Sequence, residues 1–402
     1  MTGSDRAMRI LWPCALVTLV DGFDLQLMAS ATPVVARDWG VPPSDLALPL
    51  AAGLFGIAVG AVWGGFLGDR RGRARVILWA MWVVCAGSML SAAALDVSWL
   101  VIARIITGVG LGASMTNAIA LVSETVPPGR RARLVTLMFC GVPLGSTFGG
   151  VAAAGLMPVA GWRALFLLGA ALPIAVWIAI VGRFYGVRSA PQSAGSSSAA
   201  QFALLFRNQR TSMTLMLWGL FLGNLFAFYL IASWLPVLLQ ASGLTLATSQ
   251  VGAALFQAGG VIGGLLLSWG VDRRGASAVL LPAYALGAAF LWLASGWVEY
   301  STAAALAYAT LAGAAVIGCQ FCINTVASQC YPDVARSTGV GAAFGLGRLG
   351  GILSPLVGAA MLSSPTGSPK DLLVAAASAM IVCLLAMWGL SRVRSIEPRL
   401  AR

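Results

Sequence analysis

Two acidic residues, Asp21 and Asp24, lie inside the first long hydrophobic segment of the chain, in the stretch Asp-Gly-Phe-Asp-Leu-Gln. They are three residues apart, so in a helix they share one face. A carboxylate at the depth of a lipid bilayer costs several kcal/mol unless it is paired, protonated or in contact with water. Two such carboxylates in one segment indicate a path for a proton or another ion.

Arg104 is expected at the same depth as this acidic pair. From the helical rise, Asp21 and Asp24 lie about 10 and 6 Å below the outer surface of a hydrocarbon core about 30 Å thick, and Arg104 about 8 Å below it. An arginine there can keep one carboxylate ionised while the other, desolvated and repelled, takes up a proton near neutral pH. A static ion pair that joins two helices is the alternative.

Arg348 is a further charged residue expected inside a span, about 16 Å from its inner end. A guanidinium near the middle of the bilayer would face a polar cavity, where a substrate carboxylate can bind it through two hydrogen bonds. Pairing with Asp21 in one conformational state is the alternative, and the two are compatible. Hydrogen bonding between helices or core packing is the alternative for each of the other candidate cavity residues. These are Asn117, Asn224, Tyr229, Trp234, Gln257, Gln320 and Asn324.

The composition of the chain indicates the elements that position these residues. Of its 402 residues, 59% are hydrophobic and 9% are charged, whereas soluble domains carry about 25% charged residues. An all-α integral membrane protein is therefore predicted. Apolar runs of about 20 residues, enough to cross a bilayer, predict twelve spans. They are 8–33, 45–68, 76–95, 99–122, 134–157, 163–185, 212–239, 248–270, 277–297, 301–326, 337–361 and 371–391.

The basic residues predict the orientation of these spans. If both termini are cytoplasmic, twenty of the 25 basic residues lie on the inner side, as expected for short cytoplasmic loops. The net charge of +12 is then a signal of topology. A nucleic-acid partner would require a clustered basic face with exposed aromatic residues. Here the arginines are spread from loop to loop, so the expected partner is the lipid bilayer and no nucleic acid.

Internal similarity divides the chain into two halves. Gly-Asp-Arg-Arg-Gly at Gly68–Gly72 recurs as Val-Asp-Arg-Arg-Gly at Val271–Gly275, and Ser-Glu-x-x-Pro-x-x-x-Arg at Ser123–Arg131 recurs with glutamine at Ser328–Arg336. For both motifs the first and second copies are about 204 residues apart, near half the chain. The prediction is two pseudo-symmetric six-helix bundles, a repeat arrangement used by secondary transporters. Their bounds are 1–186 and 212–402, joined by a cytoplasmic linker over 187–211.

The cytoplasmic loop after the second span is predicted to act in gating. Its glycines permit a turn and close helix approach, and its aspartate can form ion pairs that change with conformational state. A merely solvated basic loop is the alternative. The predicted gating residues are Gly65, Asp69, Arg70, Gly72 and Arg73, with Asp272 and Arg336 in the second half.

Several classes of function are excluded by what the sequence lacks. An ATP-driven pump needs a phosphate-binding loop that ends in Gly-Lys-Ser/Thr, and the single lysine, Lys370, is predicted on the outer side. Cys319 and Cys322 have the spacing of metal ligands, but no histidine exists to complete a site. We therefore expect no nucleotide, no cofactor, no metal and no enzymatic activity. Energy must come from an ion gradient or from the gradient of the substrate.

The loop from Gly65 to Arg73 resembles the signature loop of the major facilitator superfamily. Six stretches resemble its bacterial aromatic acid:proton symporters: Asp21–Gln26, Arg104–Ala113, Asn117–Glu124, Leu137–Gly145, Trp234–Leu239 and Arg336–Gly350. The resemblance implies import of a benzoate, hydroxybenzoate or hydroxyphenylpropionate with protons, across the cytoplasmic (inner) membrane. It also implies functional roles for five residues: Asp21, Asp24, Arg104, Arg336 and Arg348.

Two other functions are compatible with a twelve-span chain. A drug/proton antiporter of the same fold is the main alternative, although the stretch Gly141–Gly150 has its proline in a different place from the Gly-Pro-rich motif of those exporters. A membrane sensor without transport activity is the second alternative, and it would need a separate output partner. The fold that the resemblance implies makes monomeric function the expectation.

Overall fold

The computed structural model describes residues 3–125, 134–135, 137–184, 204–206, 210–297, 301–331, 336–365 and 367–400. Its long helices are α1 (Gly3–Trp39), α2 (Ala47–Arg71), α3 (Arg73–Ala92), α4 (Val97–Thr125), α5 (Gly141–Phe184), α6 (Thr211–Ala241), α7 (Leu246–Arg274), α8 (Ala276–Trp297), α9 (Thr302–Cys330), α10 (Arg336–Leu362) and α11 (Pro369–Leu400). A short 3-10 helix over Pro43–Leu46 precedes α2. The predicted all-α architecture is confirmed for these residues.

Eleven segments of the described chain are long and apolar enough to cross a membrane. Twelve were predicted, and the difference arises in Leu137–Phe184, a 48-residue segment that contains two of the predicted spans. Gly161 interrupts α5 there with φ 74° and ψ 179°, a conformation open to glycine and costly for a residue with a Cβ. The predicted gap between the spans 134–157 and 163–185 contains this glycine.

α1 is longer than its predicted span, because it continues to Trp39 rather than ending near residue 33. Its last turn packs on Trp162: the two indole rings meet edge to face at 5.6 Å, and the Trp162 Nε1 donates to Asp38 at 3.0 Å. Gly40, with φ 65°, ends the helix.

The described chain divides into two compact units, which are described separately. The first contains Met1–Gln192 and Leu235–Ala254. In it α2 packs along α4, α1 packs along α5, and α3 packs against α4 and α5. A buried apolar cluster that includes Leu27, Trp162 and Phe166 fills the region where α1 and α5 meet.

The second unit contains Ser193–Trp234 and Leu255–Arg402. Here α8 packs on α11 and α9, and α9 packs on α10. Most of the predicted linker, over 187–203 and 207–209, lies outside the described residues. The boundaries of the two predicted six-helix bundles stay a prediction.

Candidate functional site

Asp24 and Arg104 form a buried ion pair between α1 and α4. Nη1 of Arg104 donates to Oδ1 of Asp24 at 2.9 Å, and Nη2 donates to Oδ2. The side chains are 3% and 5% exposed, respectively. Two parallel charge-assisted bonds give the strongest and most directional form of this interaction. Arg104 therefore neutralises Asp24 in this conformation.

The surroundings of Arg104 hold its guanidinium in an apolar setting. Its Cζ lies 6.0 Å from the centroid of the Phe166 ring. A Cβ atom on Gly53 of α2 would lie 3.6 Å from Nη2, so a small residue there leaves room for the guanidinium. The Nε of Arg104 has no hydrogen-bond partner among the described residues. One donor of this buried cation is thus available to another acceptor if the pair rearranges.

Asp21 lies one helical turn before Asp24 and is half-buried. The backbone between the two acids is fixed against α5 at Gly22, where a Cβ atom would stand 1.8 Å from the carbonyl oxygen of Val142. The Ser146 hydroxyl donates to the Gly22 carbonyl at 2.7 Å. Packing against α5 thus holds the turn that carries both acids. Asp24 is buried and Asp21 is half-buried, so the two carboxylates have different environments.

Polar side chains continue along the first unit beyond the ion pair. The Gln26 amide donates to the Ser30 hydroxyl at 3.0 Å, and Nε2 of Gln250 on α7 donates to the Ser30 carbonyl at 3.2 Å. All three residues are buried, and the Gln250 Oε1 has no partner among the described residues. Gln250 and Ser30 were not predicted as site residues, since single uncharged residues in a span give no distinct sequence signal.

The loop between α2 and α3, for which a gating role is predicted, contains a partly buried ion-pair cluster. Nη2 of Arg73 contacts Oδ1 of Asp69 at 2.8 Å, and its Nε donates to Glu124 at the end of α4. Arg73 is 7% exposed, whereas Asp69 is 52% exposed. Gly72 turns the chain between α2 and α3 with φ 93°. Glu124 was missed as a site residue, although its Ser-Glu motif recurs in altered form in the second half.

Close helix approach near this loop occurs at Gly68 rather than at Gly65. A Cβ atom on Gly68 would meet Oδ1 of Asn117 at 1.8 Å, while one on Gly65 would make an ordinary contact of 3.7 Å. The Asn117 amide donates to the carbonyls of Gly64 and Ala113, both at 2.8 Å. Asn117 thus joins α2 and α4 in this conformation, and its predicted role in substrate binding stays a prediction.

In the part of the chain that the structure describes, the second copy of the loop has no ion-pair cluster like that of the first. Gly275 makes the same turn as Gly72, with φ 84°, and Asp272 is exposed. Ala276 occupies the place of Arg73. Arg336 is the first residue of α10, but its side chain lies outside the described residues. The predicted gating roles of Asp272 and Arg336 are untested.

Arg348 is half-buried on α10, with its Cζ 5.3 Å from the centroid of the Phe344 ring. One turn further along α10, Gly351 packs on Tyr229 of α6, where a Cβ atom would meet the ring at 2.6 Å. The second unit therefore places Tyr229 beside the helix segment that follows Arg348. An aromatic ring and a cation are thus about one helical turn apart along α10.

Gln257 is buried in the second unit without hydrogen bonds. Its side chain is 1% exposed, and neither Oε1 nor Nε2 has a partner among the described residues. Its neighbour Phe256 stacks on Phe228 at 6.4 Å with an interplanar angle of 11°, and Phe228 is next to Tyr229. Buried amides without partners are rare and call for an explanation by water, an ion or a ligand.

Gln320 and Asn324 belong to a hydrogen-bonded network in the second unit. The Asn224 amide donates to Oε1 of Gln320 at 2.7 Å and to the Val316 carbonyl at 3.3 Å, and Tyr284 donates to Oδ1 of Asn224 at 3.2 Å. The Asn324 amide donates to the Gln320 carbonyl at 3.3 Å. Tyr284 was not predicted from sequence, because a lone tyrosine in a span is typical of core packing.

Long apolar helices, a buried ion pair and a buried amide that has no partner among the described residues are typical of a multi-pass membrane protein with a polar pathway. The chain belongs to the Major Facilitator Superfamily, whose sequence profile matches residues 14–355. This is a family of transporters and not of enzymes, which confirms the predicted class.

Three transporters of known substrate are similar to the chain over most of its length. The 4-hydroxybenzoate transporter PcaK of Pseudomonas aeruginosa is 34% identical over 385 residues, covering 88% of this chain and 86% of the relative. The gallate transporter of Pseudomonas putida is 33% identical, covering 90% and 86%. The 3-(3-hydroxy-phenyl)propionate transporter of Escherichia coli is 34% identical, covering 99% and 97%. The predicted resemblance to aromatic acid carriers is confirmed.

A solved structure supports the fold independently of these relatives. The crystal structure of a D-xylose-proton symporter superposes with a TM-score of 0.77 over 95% of this chain and 97% of that one. The two sequences are 17% identical, so the comparison shows the major facilitator fold alone.

Proposed function

We propose that this chain is a proton-coupled importer of an aromatic carboxylic acid of the benzoate, hydroxybenzoate or hydroxyphenylpropionate type. The observation that carries the proposal is the Asp24–Arg104 ion pair with a second carboxylate, Asp21, one turn away on the same helix. Similarity to carriers of 4-hydroxybenzoate, gallate and 3-(3-hydroxy-phenyl)propionate supports the substrate class. The mechanism is alternating access in the bacterial cytoplasmic (inner) membrane.

The proposed topology has twelve spans in two pseudo-symmetric six-helix bundles, 1–186 and 212–402, with both termini and the 187–211 linker in the cytoplasm. The 48-residue segment Leu137–Phe184 supports a count of twelve, because a continuous helix of that length would be about 72 Å long, more than twice the hydrocarbon thickness. The non-helical residue Gly161 lies between its two apolar halves. The expected functional state is a monomer.

Proton coupling is assigned to Asp21, Asp24 and Arg104. Arg104 neutralises Asp24 through both carboxylate oxygens, and uptake of the proton from outside is assigned to Asp21, the half-buried carboxylate one turn away. Exchange of Arg104 between the two acids would release that proton on the inner side. One proton carried with one substrate anion makes the cycle electroneutral, and a further proton would make it electrogenic.

Substrate binding is assigned first to Arg348, which receives the carboxylate through its guanidinium. Tyr229 packs beside the same helix, and the Gln257 amide, which has no partner among the described residues, supplies a donor and an acceptor. Asn117, Gln320 and Asn324 are secondary candidates, since each already donates a hydrogen bond within the protein or lies in such a network.

Gating is assigned to the cytoplasmic loop. Arg73 bridges Asp69 and Glu124 in this conformation, and loss of these ion pairs would accompany the change of state. The other proposed gating residues are Gly65, Arg70, Gly72, Asp272 and Arg336.

The decisive experiment is uptake of labelled aromatic acids by proteoliposomes, with and without an inward proton gradient, for wild type, Asp21→Asn and Asp45→Asn. Asp45 is exposed on the 3-10 helix before α2 and is the matched control for loss of one carboxylate. The proposal predicts gradient-driven accumulation that Asp21→Asn loses and Asp45→Asn keeps. Accumulation by Asp21→Asn equal to wild type would contradict the coupling role.

Two further outcomes distinguish the alternative functions. If no aromatic acid moves while a cationic drug is expelled in exchange for protons, the chain is a drug/proton antiporter. If aromatic acids bind but never accumulate, a sensor is favoured.

A further inference from the structure

A groove on the surface of the second unit lies between the ends of α7 and α8, and none of the residues assigned to substrate or proton lines it. Its volume is about 580 Å³. Apolar side chains line most of its length, including Leu266, Trp269 and Leu286, which are 65%, 58% and 70% exposed. Arg273 and Arg274 line the same groove near the turn between the helices. An apolar channel that ends in two cations is complementary to a lipid with an anionic headgroup.

The arginines of the groove are available to a ligand. Among the described residues, neither Arg273 nor Arg274 forms an ion pair, and both are exposed. The neighbouring acid, Asp272, does not line the groove. The Arg273 Cζ lies 4.0 Å from the centroid of the Trp269 ring. This cation–π contact holds the guanidinium beside an aromatic residue, a combination typical of the membrane interface.

The first copy of the repeat differs from the second at the arginine that lines this groove. By the Gly-Asp-Arg-Arg-Gly echo, Arg71 corresponds to Arg274, and Trp79 corresponds to Pro282. In the first unit the Arg71 Cζ lies 5.5 Å from the Trp79 ring, so the arginine crosses to the next helix. In the second unit Pro282 offers no such ring and lines the groove instead.

We propose that this groove binds an anionic phospholipid of the cytoplasmic leaflet. The phosphate lies between Arg273 and Arg274, and one acyl chain follows Leu266 and Leu286. Basic pockets between transmembrane helices on the cytoplasmic side are suited to such headgroups. Only the choice of leaflet rests on the proposed topology, and no part of the inference rests on the nature of the transported substrate.

The test is native mass spectrometry of the purified full-length chain in detergent, titrated with phosphatidylglycerol or with phosphatidylcholine of the same acyl chains. Wild type is expected to retain phosphatidylglycerol preferentially. Arg273→Gln/Arg274→Gln should weaken that binding about thirtyfold, from the loss of two cations at the membrane surface. Arg71→Gln is the matched control, because it removes the corresponding cation from the first copy, and its binding should stay within about twofold of wild type.

A second variant tests the groove separately from the charge. Pro282→Trp restores the side chain of the first copy, fills the groove and keeps both arginines, so it should also lose phosphatidylglycerol. Equal binding by wild type and the double arginine variant would overturn the proposal. Competition by soluble glycerol phosphate at the same concentration as the lipid would also overturn it, because the acyl chain would then contribute nothing. Uptake is not the readout, so failure here leaves the proposed transport function intact.

Discussion

Arg104 contacts Asp24 through both of its terminal nitrogens, while its Nε has no hydrogen-bond partner among the described residues. Both terminal nitrogens of the arginine are therefore bonded to one acid, while its Nε remains a donor that a second acid can use. A purely structural ion pair needs only the first of these properties. The combination is what an arginine requires to exchange between two carboxylates without losing all of its contacts at once.

Removal of Arg104 should destabilise the protein through the charge that it leaves behind. Arg104→Gln leaves the buried Asp24 carboxylate uncompensated, at a cost of about 3–5 kcal/mol. The double variant Asp24→Asn/Arg104→Gln removes both charges, so most of the thermal stability in detergent should return. Melting temperature and proteoliposome uptake are measured on both variants. A double variant that regains gradient-driven uptake as well as stability would show that the pair is only structural.

Gly22 should tolerate no side chain. A Cβ atom there would stand 1.8 Å from the carbonyl oxygen of Val142, so Gly22→Ala must separate α1 from α5 and break the hydrogen bond between Ser146 and Gly22. We expect a loss of about 1–3 kcal/mol from overpacking. Gly155→Ala on α5 is the control, because a Cβ atom there meets nothing within 4 Å. Equal melting temperatures for the two variants would contradict the close approach.

The two acids that contact Arg73 should contribute unequally to stability. Asp69 is 52% exposed and Glu124 is 22% exposed, and exposed ion pairs contribute only about 0–1 kcal/mol. Glu124→Gln should therefore lower the melting temperature more than Asp69→Asn does, and the difference should shrink in high salt. A larger decrease in melting temperature for Asp69→Asn would show that Asp69 is the stronger partner of Arg73.

Gln257 and Asn224 are both buried amides, but their replacement by leucine is expected to affect the stability of the protein in opposite ways. Gln257→Leu breaks no described hydrogen bond, so stability should be unchanged or higher while KM for substrate rises. Asn224→Leu removes contacts with Val316, Gln320 and Tyr284 and should destabilise by several kcal/mol, at about 1–3 kcal/mol for each polar group left unsatisfied. Melting temperature and uptake kinetics separate the two effects. An unchanged KM for Gln257→Leu would remove this residue from the substrate site.

Hydropathy predicted the helices well because crossing a bilayer requires long apolar runs, whatever the details of packing. It failed at ends that depend on tertiary contacts. α1 continues to Trp39 because Trp162, more than a hundred residues away, packs on its last turn. The break in α5 at Gly161 lies in the predicted gap between two spans, but it involves a single non-helical residue and not a loop.

Helical rise and span order alone predicted Asp21, Asp24 and Arg104 at the same depth of the bilayer. They could not show which acid the arginine contacts, because that depends on the rotation of α1 against α4, which is set by packing at sites such as Gly22. Glu124 is a second residue whose contact could not be predicted from the sequence. A charge at the end of a span is usually solvated, and only its contact with Arg73 distinguishes it from the other loop charges.

Gly72 and Gly275 make the same left-handed turn in the two copies of the repeat, while Arg73 is replaced by Ala276 and Glu124 by Gln329. The second copy thus keeps the glycine turn but has uncharged residues in place of the arginine and the glutamate that form the ion pair. Amide hydrogen exchange at the two turns, measured in one sample, compares local opening with and without the ion pairs of Arg73. The molecule supplies its own reference for what these charges do to local opening.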